Sequence, residues 1–66
     1  QTIEKGNRRT ISINVESNSP FLGLKVKEAE SKFNITVAVI VRHENILLPS
    51  DNVRFEIEDI VVYQAV

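Results

Sequence analysis

A chain of 66 residues can build only one small domain, since separate cores need on the order of 100 residues each. With 42% hydrophobic and 26% charged residues it is too apolar for a disordered tail, and its net charge of -1 excludes a strong electrostatic footprint for nucleic acid or acidic membrane. The absence of cysteine removes disulfides and thiolate zinc sites, so a domain this short, burying only about 60% of its unfolded surface, is expected to gain stability from a second chain. Cysteine-free composition also fits a reducing compartment. No apolar run approaches the roughly 18 residues of a membrane span, and no signal peptide is recognised, so any service to a membrane protein is expected from the water side.

Residues 1–9 carry Gly6, Asn7, Arg8 and Arg9 with one large aliphatic, Ile3, and are expected to be a lead-in or linker to a domain over 10–66. From Thr10, the order Ile11, Ser12, Ile13, Asn14, Val15, Glu16 alternates strictly, the pattern of a half-buried strand. Ser17, Asn18, Ser19 and Pro20 stop it with turn-forming side chains and a proline that cannot donate to a ladder. Leu22, Val26, Ala29 and Phe33 then fall on one face of a helix, with Lys25, Lys27, Glu28, Glu30 and Lys32 toward water. Gly23 lets the chain turn into this helix, and Asn34 tolerates the left-handed conformation at its exit.

Residues 35–41 are the most apolar stretch. Strict alternation puts Ile35, Val37, Val39 and Val41 on one face and Thr36, Ala38 and Ile40 on the other, so the strand is either central and covered twice or set against another subunit. His43, Glu44 and Asn45 break the run before Ile46, Leu47 and Leu48, which predicts a hairpin over 42–48 ended by Pro49. Ser50, Asp51 and Asn52 turn the chain. Val53, Phe55 and Ile57 alternate with Arg54, Glu56 and Glu58, and Asp59 opens a last strand over 60–65. Strand, helix, strand, strand, strand implies a small βαβββ domain of the α+β class, one helix packed on a mainly antiparallel sheet. Its expected core is Ile11, Ile13, Val15, Leu22, Val26, Ala29, Phe33, Val37 and Val39.

The inventory of reactive groups points away from an enzyme. A Ser-His-Asp or Cys-His relay needs a histidine with two positioned partners, and the single histidine, His43, sits in a turn. Two-histidine metal sites are excluded by count, and Glu56, Glu58 and Asp59 lack calcium-loop spacing and are expected to form a solvated face. Gly6 and Gly23 stand too far apart for a phosphate-cradling loop, and Arg8-Arg9 fits a linker better than a phosphate site. The sequon Asn34-Ile35-Thr36 is set aside because Ile35 and Thr36 are expected inside a buried strand. No cofactor is implied.

The connected string Ser19-Pro20-Phe21-Leu22-Gly23, then Val26, Glu28 and Phe33, residues 35–42, Leu48-Pro49, residues 51–55 and Asp59-Ile60 resembles the TrkA-C domain, also called the C-terminal RCK domain. The resemblance runs over about residues 10–65. It implies a regulatory attachment to bacterial or archaeal potassium channels and transporters, cation/proton antiporters or some transcription regulators. Such domains form two-fold dimers and bind small effectors, in some members cyclic di-AMP at the dimer interface. This chain departs from the family pattern at Lys25, where threonine is frequent, at Glu58, where glycine is usual, and over 64–66, where another glycine is found. The turn before Asp59 is therefore expected to differ from the common form.

Carried over onto this sequence, the effector pocket would use Arg42 at the end of the central strand, His43 and Asn45 in the polar turn, and Leu47, Leu48 and Pro49 as an aliphatic wall. Arg42 would pair with a phosphate, His43 or Asn45 would hydrogen-bond a base or phosphate, and the leucines would cover a purine face. The competing reading makes Leu47 or Leu48 core and Arg42 a surface residue. The function so implied is that of a cytoplasmic, non-enzymatic, effector-binding and dimerisation domain of a potassium or cation transport protein. Its implied partners are a second copy, a small-molecule effector such as cyclic di-AMP and, through the parent chain, a membrane transport subunit, with no direct nucleic-acid contact. A ligand-free structural dimeriser and the sensor half of a transcription regulator are the alternatives.

Overall fold

A computed structural model describes residues 9–66. The expected lead-in lies outside the described residues except for Arg9, which is exposed. The elements are β1 (Thr10–Asn14), α1 (Val26–Phe33), β2 (Ile35–Arg42), β3 (Asn45–Leu47) and β4 (Ile60–Ala65). They form one four-stranded sheet in the order β1-β4-β2-β3, every neighbouring pair antiparallel, with α1 on one face. This is the α+β arrangement the sequence implied.

The alternation expected along β2 does not survive. Val37 pairs with Tyr63 and Val39 with Val62, so two steps on β2 oppose one step on β4, and Ala38 is the extra residue of a bulge. A bulge shifts the side-chain period by one, because successive residues point to opposite faces. Ile35, Val37 and Ile40 therefore turn toward the helix and are buried, whereas Val39 and Val41, expected beside Val37, are half-buried on the other face. Val39 thus leaves the expected core and Ile40 enters it.

The helix also starts later than its apolar spacing suggested. Lys25 is extended (φ -77°, ψ 155°), and the chain around it pairs with residues 53–55: the Gly23 N–H donates to the Phe55 carbonyl, Phe55 N–H to Leu24, and Val26 N–H to Val53. Leu22 consequently sits in a turn and is 39% exposed, and Phe21 takes the buried place expected for it. Gly23 adopts φ 84° and Asn34 caps the helix in the left-handed region (φ 58°, ψ 53°), both as expected. At the N-terminus the Glu28 carboxylate accepts the Lys25 N–H at 2.8 Å, half of a capping box, since a lysine ammonium has no lone pair to complete it.

Val15, Phe21, Val26, Ala29, Ile35, Val37, Ile40, Phe55 and Val61 form the core, with Ile13, Leu24, Phe33, Leu47, Val53 and Tyr63 packed around it. Phe21 is its aromatic centre, stacked on Phe33 at 5.1 Å, edge-on to Phe55 at 5.2 Å and 5.7 Å from Tyr63. Residues 53–58 make no ladder strand. They cross from the end of the hairpin to the helix entrance, dropping Phe55 into the core on the way. Thr36 is exposed, contrary to the buried position used to set the sequon aside.

Candidate functional site

The corner of the molecule where β2 ends and β4 begins collects most of its polar organisation. Val41 pairs with Ile60, so the register brings Arg42 alongside Asp59, one residue beyond the last pair. Both side chains lie on the helix side of the sheet. The Arg42 Nε donates to Asp59 Oδ1 and its Nη2 to Oδ2, each at 2.9 Å, a planar two-bond match of guanidinium to carboxylate. Nη2 also donates to the Arg54 carbonyl at 2.9 Å, and Nη1 lies 3.3 Å from Glu56 Oε2.

Asp59 has no exposed surface, which overturns the solvated face expected for Glu56, Glu58 and Asp59; Glu56 and Glu58 alone are exposed. A buried carboxylate must be paired and hydrogen-bonded to stay charged. Beyond the two bonds from Arg42, Asp59 Oδ2 accepts the Glu56 N–H at 2.8 Å. Burial alone would push the Asp59 pKa up, but the Arg42 and Glu56 hydrogen bonds and the charges of Arg42 and His43 outweigh it, and the pKa lies below the ordinary 3.8. The Arg42 pKa is raised, chiefly by its hydrogen bond to Asp59.

Asp59 also holds the preceding turn, its own N–H donating to the Glu56 carbonyl at 3.1 Å. Within that turn Glu58 adopts φ 74° and its N–H donates to Val15 at 2.7 Å. A positive φ is the conformation that glycine reaches without steric cost. The turn therefore does not depart from a glycine-type form as expected; the glutamate is held in that conformation by its neighbours. His43 and Glu44 likewise have φ 51° and 69°, the signs required of a two-residue hairpin turn that follows the sheet's twist.

The other residues inferred for the effector pocket are distributed around this hairpin. His43 and Asn45 are exposed, Asn45 directly opposite Arg42; Leu47 is half-buried against the core; Leu48 is 80% exposed and Pro49 half-buried. Arg42, Asn45 and Leu47 share the helix side of the sheet, while Ile46, between them, points to the opposite side and is 71% exposed. None of the six lines the open groove of about 440 Å³ formed by Asn14, Val15, Glu16, Ser17, Ile57, Glu58 and Ile60. Among the described residues no group of three His, Cys, Asp or Glu side chains could hold a metal ion, and no helix is long and apolar enough to cross a membrane.

On the face away from the helix, Val39 lies opposite Val62, and Val41 opposite both Ile60 and Ile46. These five side chains make a continuous apolar surface that no other described residue is layered over. Sequence reasoning found the apolar character of β2 but missed the Arg42–Asp59 pair. Its signal was available: an arginine closing one apolar run and an aspartate opening another are brought together whenever the two runs pair antiparallel.

The family model of the TrkA-C domain matches residues 10–62. No curated protein matches the chain. Domains of the matched family are regulatory parts of transport and related proteins.

Proposed function

The chain belongs to the TrkA-C domain family, and from that premise we propose that it is a cytoplasmic, non-enzymatic regulatory domain that pairs with a second copy of itself and responds to a small anionic effector. In this role it biases a potassium or cation transport protein between states, which an effector can do only by binding those states unequally. The observation that carries the proposal is the uncovered apolar face of Val39, Val41, Ile46, Ile60 and Val62. A symmetric partner is the simplest cover for it, since a two-fold axis sets the same patch against itself. Cyclic di-AMP is the first effector to test, because its phosphates are the chemistry that Arg42, His43 and Asn45 of the hairpin at residues 42–49 would recognise.

A ligand that binds only the native form raises its stability by about 2.7 kcal/mol at a hundredfold excess over Kd. Thermal unfolding with and without cyclic di-AMP is therefore expected to show a rise in Tm that grows with nucleotide concentration. An unchanged Tm at saturating concentrations would contradict effector binding. One observation favours the ligand-free dimeriser as the second reading: Arg42 is already neutralised by Asp59 within the chain.

A further inference from the structure

Arginine presents five N–H donors in a flat fork. In Arg42 the Nε edge and Nη2 are committed to Asp59 and to the Arg54 carbonyl, in three bonds of 2.9 Å. Among the described residues Nη1 has one partner, Glu56 Oε2, at 3.3 Å. The two carboxylates are unlike in every respect that decides whether they can be displaced. Asp59 is fully buried, touches Arg42 through both oxygens and is itself held by the Glu56 N–H. The Glu56 side chain is 58% exposed and reaches Arg42 through one long contact, and exposed ion pairs of this kind contribute only about 0–1 kcal/mol.

We propose that Glu56 is a built-in competitor for anions at Arg42, occupying the one edge of the guanidinium that a phosphate oxygen could reach. The proposal rests on the anionic-effector reading. An incoming phosphate displaces the Glu56 carboxylate by rotation of an exposed side chain, while the Asp59 pair and the turn it holds stay in place. Glu56 thereby acts as a specificity-determining residue: an anion that contacts Nη1 alone gains too little to expel a carboxylate, whereas a phosphate diester bound at several points can do so. His43, exposed at the adjacent turn, and Asn45, opposite Arg42, are placed to supply such further points.

The test is calorimetric titration of cyclic di-AMP into the wild-type domain, Glu56→Gln and Glu16→Gln. Glu56→Gln removes the competing charge, keeps the side chain's shape and leaves the backbone N–H that holds Asp59, so affinity is expected to rise three- to tenfold. Glu16, an exposed glutamate with no contact to Arg42, serves as the control for a general charge effect, and its substitution is expected to leave Kd unchanged. Equal affinities for wild type and Glu56→Gln would overturn the competitor role while leaving the effector reading intact. An equal gain in Glu16→Gln would overturn it as well. Binding by none of the three proteins would overturn the effector reading itself, and the competitor role with it.

Discussion

Val61 and Val62 are neighbours on β4 with the same side chain, and they end in opposite environments. Val61 has no exposed surface and lies in the core with Ile40, Phe55 and Val15; Val62 is half-buried on the far side of the sheet, opposite Val39, with no described element layered above it. The same contrast holds for the whole sheet. Its helix side is closed by α1 and the crossing segment that carries Phe55, and the buried charge of Asp59 is paired and hydrogen-bonded there. Its outer side carries the apolar patch of Val39, Val41, Ile46, Ile60 and Val62 beside Ser12 and Asn14, with no described residue layered over it. The difference separates what the fold needs from what an assembly needs: the helix side accounts for a folded monomer, and the residues of the outer side are those of a surface awaiting cover.

The largest effect is expected from breaking the polar corner of the closed side. Arg42→Ala would leave a buried carboxylate without its counter-charge, a loss of about 3–5 kcal/mol. A domain of this size has only about 3–10 kcal/mol of stability in total, so urea unfolding at 25 °C should find the variant's midpoint markedly lowered. Replacing both partners, as in Arg42→Met with Asp59→Leu, should recover only part of the loss, because the Glu56 N–H also loses its acceptor. The same pair sets an acid limit. Because the folded-state pKa of Asp59 lies below 3.8, its contribution is complete above that pH and is lost as the pH falls through the folded value. An acid titration of the Asp59→Asn variant should lack this component of the transition.

A smaller effect separates the two valines. Val61→Ala removes buried methyl groups and leaves a cavity, for a loss of about 2–3 kcal/mol in chemical unfolding. Val62→Ala should cost less than about 0.5 kcal/mol at the lowest protein concentrations, where a surface substitution is close to neutral. Its cost should grow with concentration, since a partner that covers Val62 adds stability by mass action. Equal costs for the two substitutions at low concentration would abolish the contrast between the faces.

Much of the architecture is legible in the sequence because local patterns and the tertiary structure agree. The alternation of Ile11, Ile13 and Val15, the spacing of Val26, Ala29 and Phe33, and the turn chemistry of Gly23 and Asn34 all act over a few residues. What was not legible depends on partners distant in the chain. The bulge at Ala38 is an outcome of how β2 meets β4, and a strict period of two gives no sign of it. Leu22 loses its place to Phe21 because residues 53–55 pair with the chain before the helix and hold it extended. Asp59 looked like one of three solvated acids, and its burial follows from a register fixed by the apolar residues around it. Of the hairpin residues, the turn at His43 and Glu44 could be read from polarity alone, whereas the commitment of Arg42 to Asp59 could not.

The account turns on the outer face being covered by a second copy of the chain, and sedimentation equilibrium tests this most directly. Wild-type protein followed through the micromolar range should move from one chain to two. Val62→Lys, which sets a charge within the patch, should remain a single chain at every concentration with an unchanged far-ultraviolet circular dichroism spectrum. A wild-type protein that stays monomeric at the highest concentration, or a Val62→Lys variant that pairs as tightly as wild type, would contradict the account.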